Sequence, residues 1–146
     1  MSDLYKALAS AIYVSRLTVA GKAIETDDEK IRASGLYDDW AEGDHKVGEI
    51  YNAEGQTWEC YQDYDNAVYP DIVPGSAAWQ TFNRPLHGRS RETARPWVAP
   101  SHSMDVYQKG EWMIWTDGAY YECLADAGTS FSPEEYAPWW RKEELI

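Results

Sequence analysis

The chain has 146 residues, a formal net charge of −12 and a hydrophobic fraction of 44%. This balance describes one ordinary globular domain or two very small ones, and it excludes a disordered chain. The acidity argues against nucleic acid and anionic membranes as partners, because phosphate binding requires a basic surface. We expect no membrane span and no signal peptide.

The first predicted element is a helix within residues 4–21, where apolar residues recur at helical spacing. Steps of three and four residues alternate along Tyr5, Leu8, Ile12, Ser15 and Val19. Such a seam favours pairing with a second copy of the helix and therefore a homo-oligomer. Two alternatives stay open: a helix packed on its own domain, and a strand across residues 12–14.

A second, shorter helix is predicted from Asp27 to Ser34. Thr26 and Glu29 have the spacing of a capping box, in which each side chain accepts a hydrogen bond from the backbone N–H of the other. Gly35 is expected to end this helix.

From Leu36 onward, short aromatic and β-branched stretches alternate with Gly, Asn, Asp and Pro, which is typical of short antiparallel strands. Residues 47–62 form one predicted hairpin with Glu54-Gly55 at its turn. Residues 111–125 form another, in which Asp117 and Gly118 are expected to supply positive φ angles.

These hairpins are interpreted as one β-unit used twice. Each copy has a Gly-Glu pair, a strand of the form Gly-x-x-aromatic-Glu-Cys, and a segment with Pro and an acid that ends on Trp. The copies are Gly48-Glu49, Gly55 to Cys60 and Pro70 to Trp79, and Gly110-Glu111, Gly118 to Cys123 and Pro133 to Trp139 or Trp140.

The predicted fold is mainly β with an N-terminal α-helical segment and two small antiparallel modules in tandem. Residues 1–35 are the helical assembly segment, 36–82 the first β-unit, and 101–146 the second. Residues 83–100 carry four Arg and three Pro, which predicts a linker.

The repeat resembles the small chitin-binding modules of carbohydrate-binding families 5 and 12. The resemblance is carried by Tyr107, Gly110-Glu111-Trp112, Gly118-x-x-Tyr121, Pro133 and the Trp at 139 or 140, and by the matching residues of the first copy. It implies a non-catalytic module that binds a polysaccharide, here one of a bacterial surface.

The whole layout resembles small phage-encoded proteins whose genes lie near virion structural genes. Residues 25–29, residues 36–40 and the β-unit that follows them carry this resemblance. It implies a virion component made in the host cytoplasm, with other virion proteins as partners.

Sugar binding is expected mainly in the first copy, which keeps aromatic residues after its Cys, whereas the second copy has Leu124-Ala125 there. Trp112 and Trp115 are expected on opposite faces of a strand, so that one of them is exposed to a ligand or an oligomer contact. The candidate binding residues are Tyr61, Gln62, Tyr64, Asp65, Trp112 and Trp115. The aromatic residues expected in the core are Trp40, Trp58, Trp79, Tyr121 and Trp139.

No residue pattern indicates catalysis, so we expect neither enzyme activity, nor a cofactor, nor a metal. The three His are scattered, and residues 63–66 lack the Gly and the terminal Glu of a calcium loop. Cys60 and Cys123 are expected to be free and buried, with a bond between the copies as the alternative. The expected function is carbohydrate recognition by a virion tail, fibre or decoration protein; the alternative is a purely structural virion protein.

Overall fold

The computed structural model describes residues 3–74, 82–101 and 103–143. Two helices come first, α1 (Asp3–Val19) and α2 (Asp27–Arg32), and the strands follow. The protein is mainly β with an N-terminal helix, as the sequence predicts. The strands are β1 (Asp44–His45), β2 (Ile50–Ala53), β3 (Gln56–Cys60), β4 (Tyr64–Asp65), β5 (Asn83–Pro85), β6 (Arg95–Pro96), β7 (Trp112–Ile114), β8 (Tyr120–Cys123) and β9 (Trp140–Lys142).

The chain divides into two compact units, an N-terminal unit (Met1–Leu86) and a C-terminal unit (His87–Ile146). The N-terminal unit contains the antiparallel sheet β2-β3-β5 and the two-stranded sheet β1-β4. The C-terminal unit contains the sheet β6-β7-β8-β9, in which β6 runs parallel to β7 and the other pairs are antiparallel.

The segment 83–100 is not a linker. Its first residues form β5, the third strand of the N-terminal sheet, and Leu86 is fully buried. The residues that follow belong to the C-terminal unit and include β6. The composition suggested a linker for two reasons. Pro85 and Pro96 lie in edge strands, where a missing N–H is tolerated, and Arg84 forms ion pairs instead of being exposed to solvent.

The capping box of α2 is confirmed. The Glu29 N–H donates to Thr26 Oγ1 at 3.2 Å, and the Thr26 N–H donates to the Glu29 carboxylate at 3.1 Å. The hydrogen bonds from Thr26 hold the pKa of Glu29 below its usual value. A side-chain cap at the start thus fixes where this short helix begins.

The role predicted for Gly35 is wrong. The helix ends at Arg32, and Gly35 lies in a 3-10 turn over Ser34–Leu36. A Cβ atom on Gly35 would lie 2.4 Å from the carbonyl oxygen of Lys6 in α1. The glycine is needed because α1 passes so close, and the Ser10 hydroxyl accepts the Gly35 N–H at 2.9 Å in the same contact.

The two hairpins are confirmed, but their turns differ. Glu54 and Gly55 both have positive φ, as a two-residue hairpin turn requires. In the second hairpin only Gly118 has positive φ, while the Asp117 carboxylate accepts the Ala119 N–H at 2.8 Å. The expectation of positive φ at Asp117 is therefore wrong, because this loop is one residue longer.

The structure reveals the two units as the same construction. In each, the Gly of the Gly-Glu pair donates to the carbonyl of the Cys, and the Cys N–H donates back to the carbonyl of the Glu. The bonds are Gly48 to Cys60 and Gly110 to Cys123, both 2.9 Å, and Cys60 to Glu49 and Cys123 to Glu111, both 2.8 Å.

The third strand corrects the alignment of the repeat. Cys60 pairs with Asn83, and Cys123 pairs with Trp140, so that Asn83 and Trp140 are equivalent. By the same register Phe82 is the counterpart of Trp139. Trp79, which the sequence aligned with this position, lies outside the described residues.

One ion pair also recurs in both units, but only the pair of the N-terminal unit is shielded from solvent. Glu59 and Arg84 pair across β3 and β5, and Glu122 and Arg141 pair across β8 and β9. In the N-terminal unit α2 lies against this pair: Asp27 binds both terminal nitrogens of Arg84, at 2.7 and 2.8 Å. The Arg84 side chain is 18% exposed, whereas that of Arg141 is 53% exposed.

We therefore predict that Arg84→Ala lowers the free energy of unfolding by about 3 kcal/mol, because it removes the guanidinium that pairs with both half-buried carboxylates, Asp27 and Glu59. Urea unfolding followed by circular dichroism measures this loss. Arg141→Ala is the matched control, since it removes the equivalent exposed side chain, and it should cost at most about 1 kcal/mol. Equal losses would contradict the structural difference.

Candidate carbohydrate-binding surface

Tyr64 belongs to the core and not to a binding surface, which corrects the sequence-based assignment. Its side chain is 4% exposed. Its hydroxyl lies 2.7 Å from that of Tyr51 and accepts the Trp40 indole N–H at 2.9 Å. Burial raises the pKa of Tyr64. Its ring packs on Phe82 and so presents no face to a ligand.

The other binding residues predicted in this loop, Tyr61, Gln62 and Asp65, do not form an exposed aromatic surface with Tyr64. Tyr61 is half-buried and donates its N–H to the Phe82 carbonyl at 2.9 Å. Gln62 is exposed, and its carbonyl accepts the Cys60 thiol. The Asp65 carboxylate accepts the Ala67 N–H at 2.9 Å, so it stabilises its own turn.

Trp112 and Trp115 lie on opposite sides of β7, as predicted. Trp115 packs edge-on against Trp97 and contacts the core of the C-terminal unit. Trp112 is half-buried on the outer face, where the Arg141 guanidinium lies 5.4 Å from its ring centroid. One ring face of Trp112 is thus already used by a cation.

The residues expected in the aromatic core have different degrees of burial. Trp58 is buried, and Trp40 is half-buried and bonded to Tyr64. Tyr121 and Trp139 are half-buried against the C-terminal core. Trp79 is outside the described residues. The buried members of the C-terminal core are Tyr107, Met113, Cys123, Ala125 and Trp140.

Both cysteines are free thiols and buried, as expected. The Cys60 thiol donates to the Gln62 carbonyl, and the Cys123 thiol donates to the Tyr107 carbonyl at 3.6 Å. Burial raises the pKa of both thiols. A thiol of this kind is structural rather than reactive.

Sequence reasoning missed an exposed group of three rings in the C-terminal unit, which we call the aromatic patch: Phe131, Tyr136 and Trp139. Phe131 is 47% and Tyr136 is 43% exposed, and Trp139 is half-buried. The Phe131 and Trp139 rings are almost parallel, at 11°, with centroids 5.9 Å apart. Tyr136 lies 4.4 Å from Trp139 by the same measure.

Hydrogen bonds hold the patch from both sides. The Phe131 N–H donates to Thr129 Oγ1, and the Phe131 carbonyl accepts the indole N–H of the buried Trp140, both at 2.9 Å. The Tyr136 N–H donates to the Ser132 carbonyl at 2.9 Å. The rings are therefore carried by a turn whose backbone is fixed, and little ordering is required on binding.

In the sequence, the sign of this patch is Leu124, which stands where the first copy has an aromatic residue after its Cys. The Leu124 N–H donates to the Trp139 carbonyl at 2.8 Å, so that the two residues are cross-strand neighbours. The aromatic side chain missing after Cys123 is supplied by Trp139, which directly precedes β9. A local pattern could not show this, because the two positions are far apart in the chain.

Rings of this kind suit binding better than chemistry. The exposed Glu134 and Ser130 flank them along the chain and could hydrogen-bond a polar ligand. In the part of the chain that the structure describes, no group of three His, Cys, Asp or Glu residues could hold a metal ion.

No protein-family model matches the chain, and a search of the curated proteins finds no significant match. Among the described residues, no helix is both long enough and apolar enough to cross a membrane.

We predict that Tyr64→Phe lowers the free energy of unfolding by about 1–2 kcal/mol, because it removes the acceptor of the Trp40 N–H and one of the two partners of the Tyr51 hydroxyl, the other being Asn83. Thermal or urea unfolding checks this. Tyr69→Phe is the control, since Tyr69 is 60% exposed in the same unit. An unchanged stability for Tyr64→Phe would show that the Tyr64 hydroxyl does not contribute to the free energy of unfolding.

Proposed function

We propose that this chain is a non-catalytic virion protein that binds a neutral host-surface polysaccharide through the aromatic patch of its C-terminal unit. The observation that carries the proposal is the exposure of Phe131, Tyr136 and Trp139 on a backbone fixed by hydrogen bonds. Exposed clusters of large apolar side chains mark binding sites more often than chance surface.

The chemistry of a pyranose ring fits such a patch. Its axial C–H groups form an apolar face that packs against the electron-rich face of an aromatic ring. Phe131 and Tyr136 are the most exposed rings of the patch and are the ones available to such a face. Aromatic side chains also lose little conformational entropy when they bind, since they have only two side-chain torsions.

The net negative charge of the chain disfavours acidic polysaccharides as ligands. With a net charge of −12, the protein repels polyanions at long range. The exposed Glu134 beside Tyr136 adds a local negative charge. A neutral polymer of N-acetylated sugars is therefore favoured over an acidic one, and the resemblance to chitin-binding modules points the same way.

The binding test uses insoluble chitin and purified bacterial peptidoglycan. We predict that the intact chain binds at least one of them, and that Tyr136→Ala weakens that binding about tenfold, which corresponds to roughly 1.4 kcal/mol. The loss of bound protein in a depletion assay measures the change. Tyr69→Ala is the matched control, because it removes an exposed tyrosine from the other unit.

Trp139→Ala should weaken binding further, and its circular dichroism must be compared with that of the wild type because Trp139 also contacts the core. Tyr136→Ala is the decisive variant, since Tyr136 is more exposed. The proposal is contradicted if the intact chain binds neither polymer, or if Tyr136→Ala binds as tightly as Tyr69→Ala.

A second candidate function is a structural virion protein that acts through protein contacts alone. The observation that favours it is the apolar surface of α1, on which Leu4, Leu8, Ile12 and Val19 are exposed. Self-association without any polysaccharide binding would support this candidate over the first.

A further inference from the structure

Helix α1 has two apolar stripes, and its own unit covers only one of them. On the covered side Ser10 is buried, donates to the Arg32 carbonyl at 2.9 Å and accepts the Gly35 N–H. The Arg32 guanidinium lies 5.9 Å from the centroid of Tyr13. The residues of α1 that are buried or half-buried include Ala7, Ser10, Tyr13, Val14 and Leu17.

The other stripe is exposed to solvent. Its apolar members are large side chains, and a shallow groove runs among them, lined in part by Leu8, Ile12 and Val19. A soluble helix that is apolar on both sides requires a second contact. The exposed large side chains of α1 are Leu4, Tyr5, Leu8, Ile12 and Val19.

The spacing of the exposed stripe is that of a coiled-coil seam. Tyr5, Leu8, Ile12, Ser15 and Val19 alternate by three and four residues, so that positions 5, 12 and 19 are a positions and 8 and 15 are d positions. The structure places this seam on the side that the unit leaves exposed, which the sequence could not decide.

We infer that α1 pairs along this seam with α1 of a second copy of the chain, as a parallel two-stranded coiled coil. β-Branched residues at a with Leu at d favour two parallel strands, and Ile12, Val19 and Leu8 fit that rule. In this arrangement each seam residue faces its own counterpart, and the small polar Ser15 forms one layer that fixes the register.

The charges explain why the partner is a second copy. Two acidic chains repel each other wherever their carboxylates meet. The chain has 25 acidic residues, yet residues 4–24 contain none. Within this stretch Lys6, Arg16 and Lys22 are the charged residues. The seam thus lies in a stretch where two copies can approach without contact between carboxylates.

The pairing does not have to create the helix. An isolated helix of 17 residues is only marginally stable in water. Here the contacts through Ser10, Tyr13 and Gly35 already order α1 in each copy. Dimer formation is therefore opposed mainly by the loss of translational and rotational freedom of the two copies. Because the seam is short, we expect the fraction of dimer to depend on protein concentration.

The test is sedimentation equilibrium on the full chain across a wide range of concentration. We expect the mass to rise from 16.7 kDa towards twice that value. The double variant Leu8→Glu and Ile12→Glu should weaken the dimer by roughly a hundredfold or more, because it places like charges across the seam. Val68→Glu is the matched control, since Val68 is 63% exposed and lies after β4, outside α1.

Orientation is tested by oxidation of a Tyr5→Cys variant. Parallel pairing brings the two copies of position 5 together, so a disulfide-linked dimer is expected, while Val68→Cys should form no disulfide-linked dimer under the same treatment. The native thiols are buried and do not interfere.

A monomer at every concentration, or a dimer that survives in the double variant, would overturn the pairing. A trimer or larger assembly would overturn the two-stranded form, and failure of the position-5 disulfide would overturn the parallel one. None of these readings involves a sugar, so the outcome is independent of the proposed polysaccharide binding.

Discussion

A glutamate directly before each hairpin binds the preceding loop through its carboxylate. The aromatic stack of each unit depends on this glutamate. Glu49 accepts the Lys46 N–H at 3.1 Å, and Glu111 accepts the Gln108 N–H at 2.7 Å. Each carboxylate also lies about 3 Å from Nδ1 of a histidine, at 3.0 Å for His45 and 3.1 Å for His87. The His45 ring stacks on Trp40 and also packs on Tyr64. The His87 ring stacks on Tyr107, which stacks on Trp97. Since small units bury little surface, a polar anchor that positions large rings decides whether the core forms.

The two units contain equivalent sheets, but these sheets are covered differently. In the N-terminal unit α2 binds the outer ion pair, and Tyr64 packs on Phe82, so both the outer face and the ring counterpart of the patch are occupied. In the C-terminal unit Arg141 is exposed over Trp112, and Trp139 stands among exposed rings. The two copies of one framework thus differ in their surfaces: the first is covered by packing, and the second has exposed rings. The proposed roles follow this division: assembly through α1 and recognition through the patch.

Much of the fold was predictable because its signals are local. A capping box, the two hairpins and the repeat of the Gly-Glu and Gly-x-x-aromatic-Glu-Cys patterns depend on neighbouring residues, and each was found. The exposed aromatic patch was not predicted, because the exposure of its rings depends on tertiary packing. Tyr64 looked like a loop aromatic but closes a hydroxyl network with Tyr51 and Trp40. Trp139 was expected in the core, and it is half-buried there in contact with the exposed rings of Phe131 and Tyr136.

The sequence by itself determined the class of fold, the positions of the turns and the 3–4 spacing of the α1 seam, since these follow from backbone preferences and periodicity along one segment. Tertiary structure alone decided which stripe of α1 is exposed, why Gly35 must lack a side chain, and that residues 83–100 are strand and core rather than linker. It also decided which copy exposes its rings. Each of these depends on contacts between residues far apart in the chain, and such contacts leave no periodic trace in the sequence.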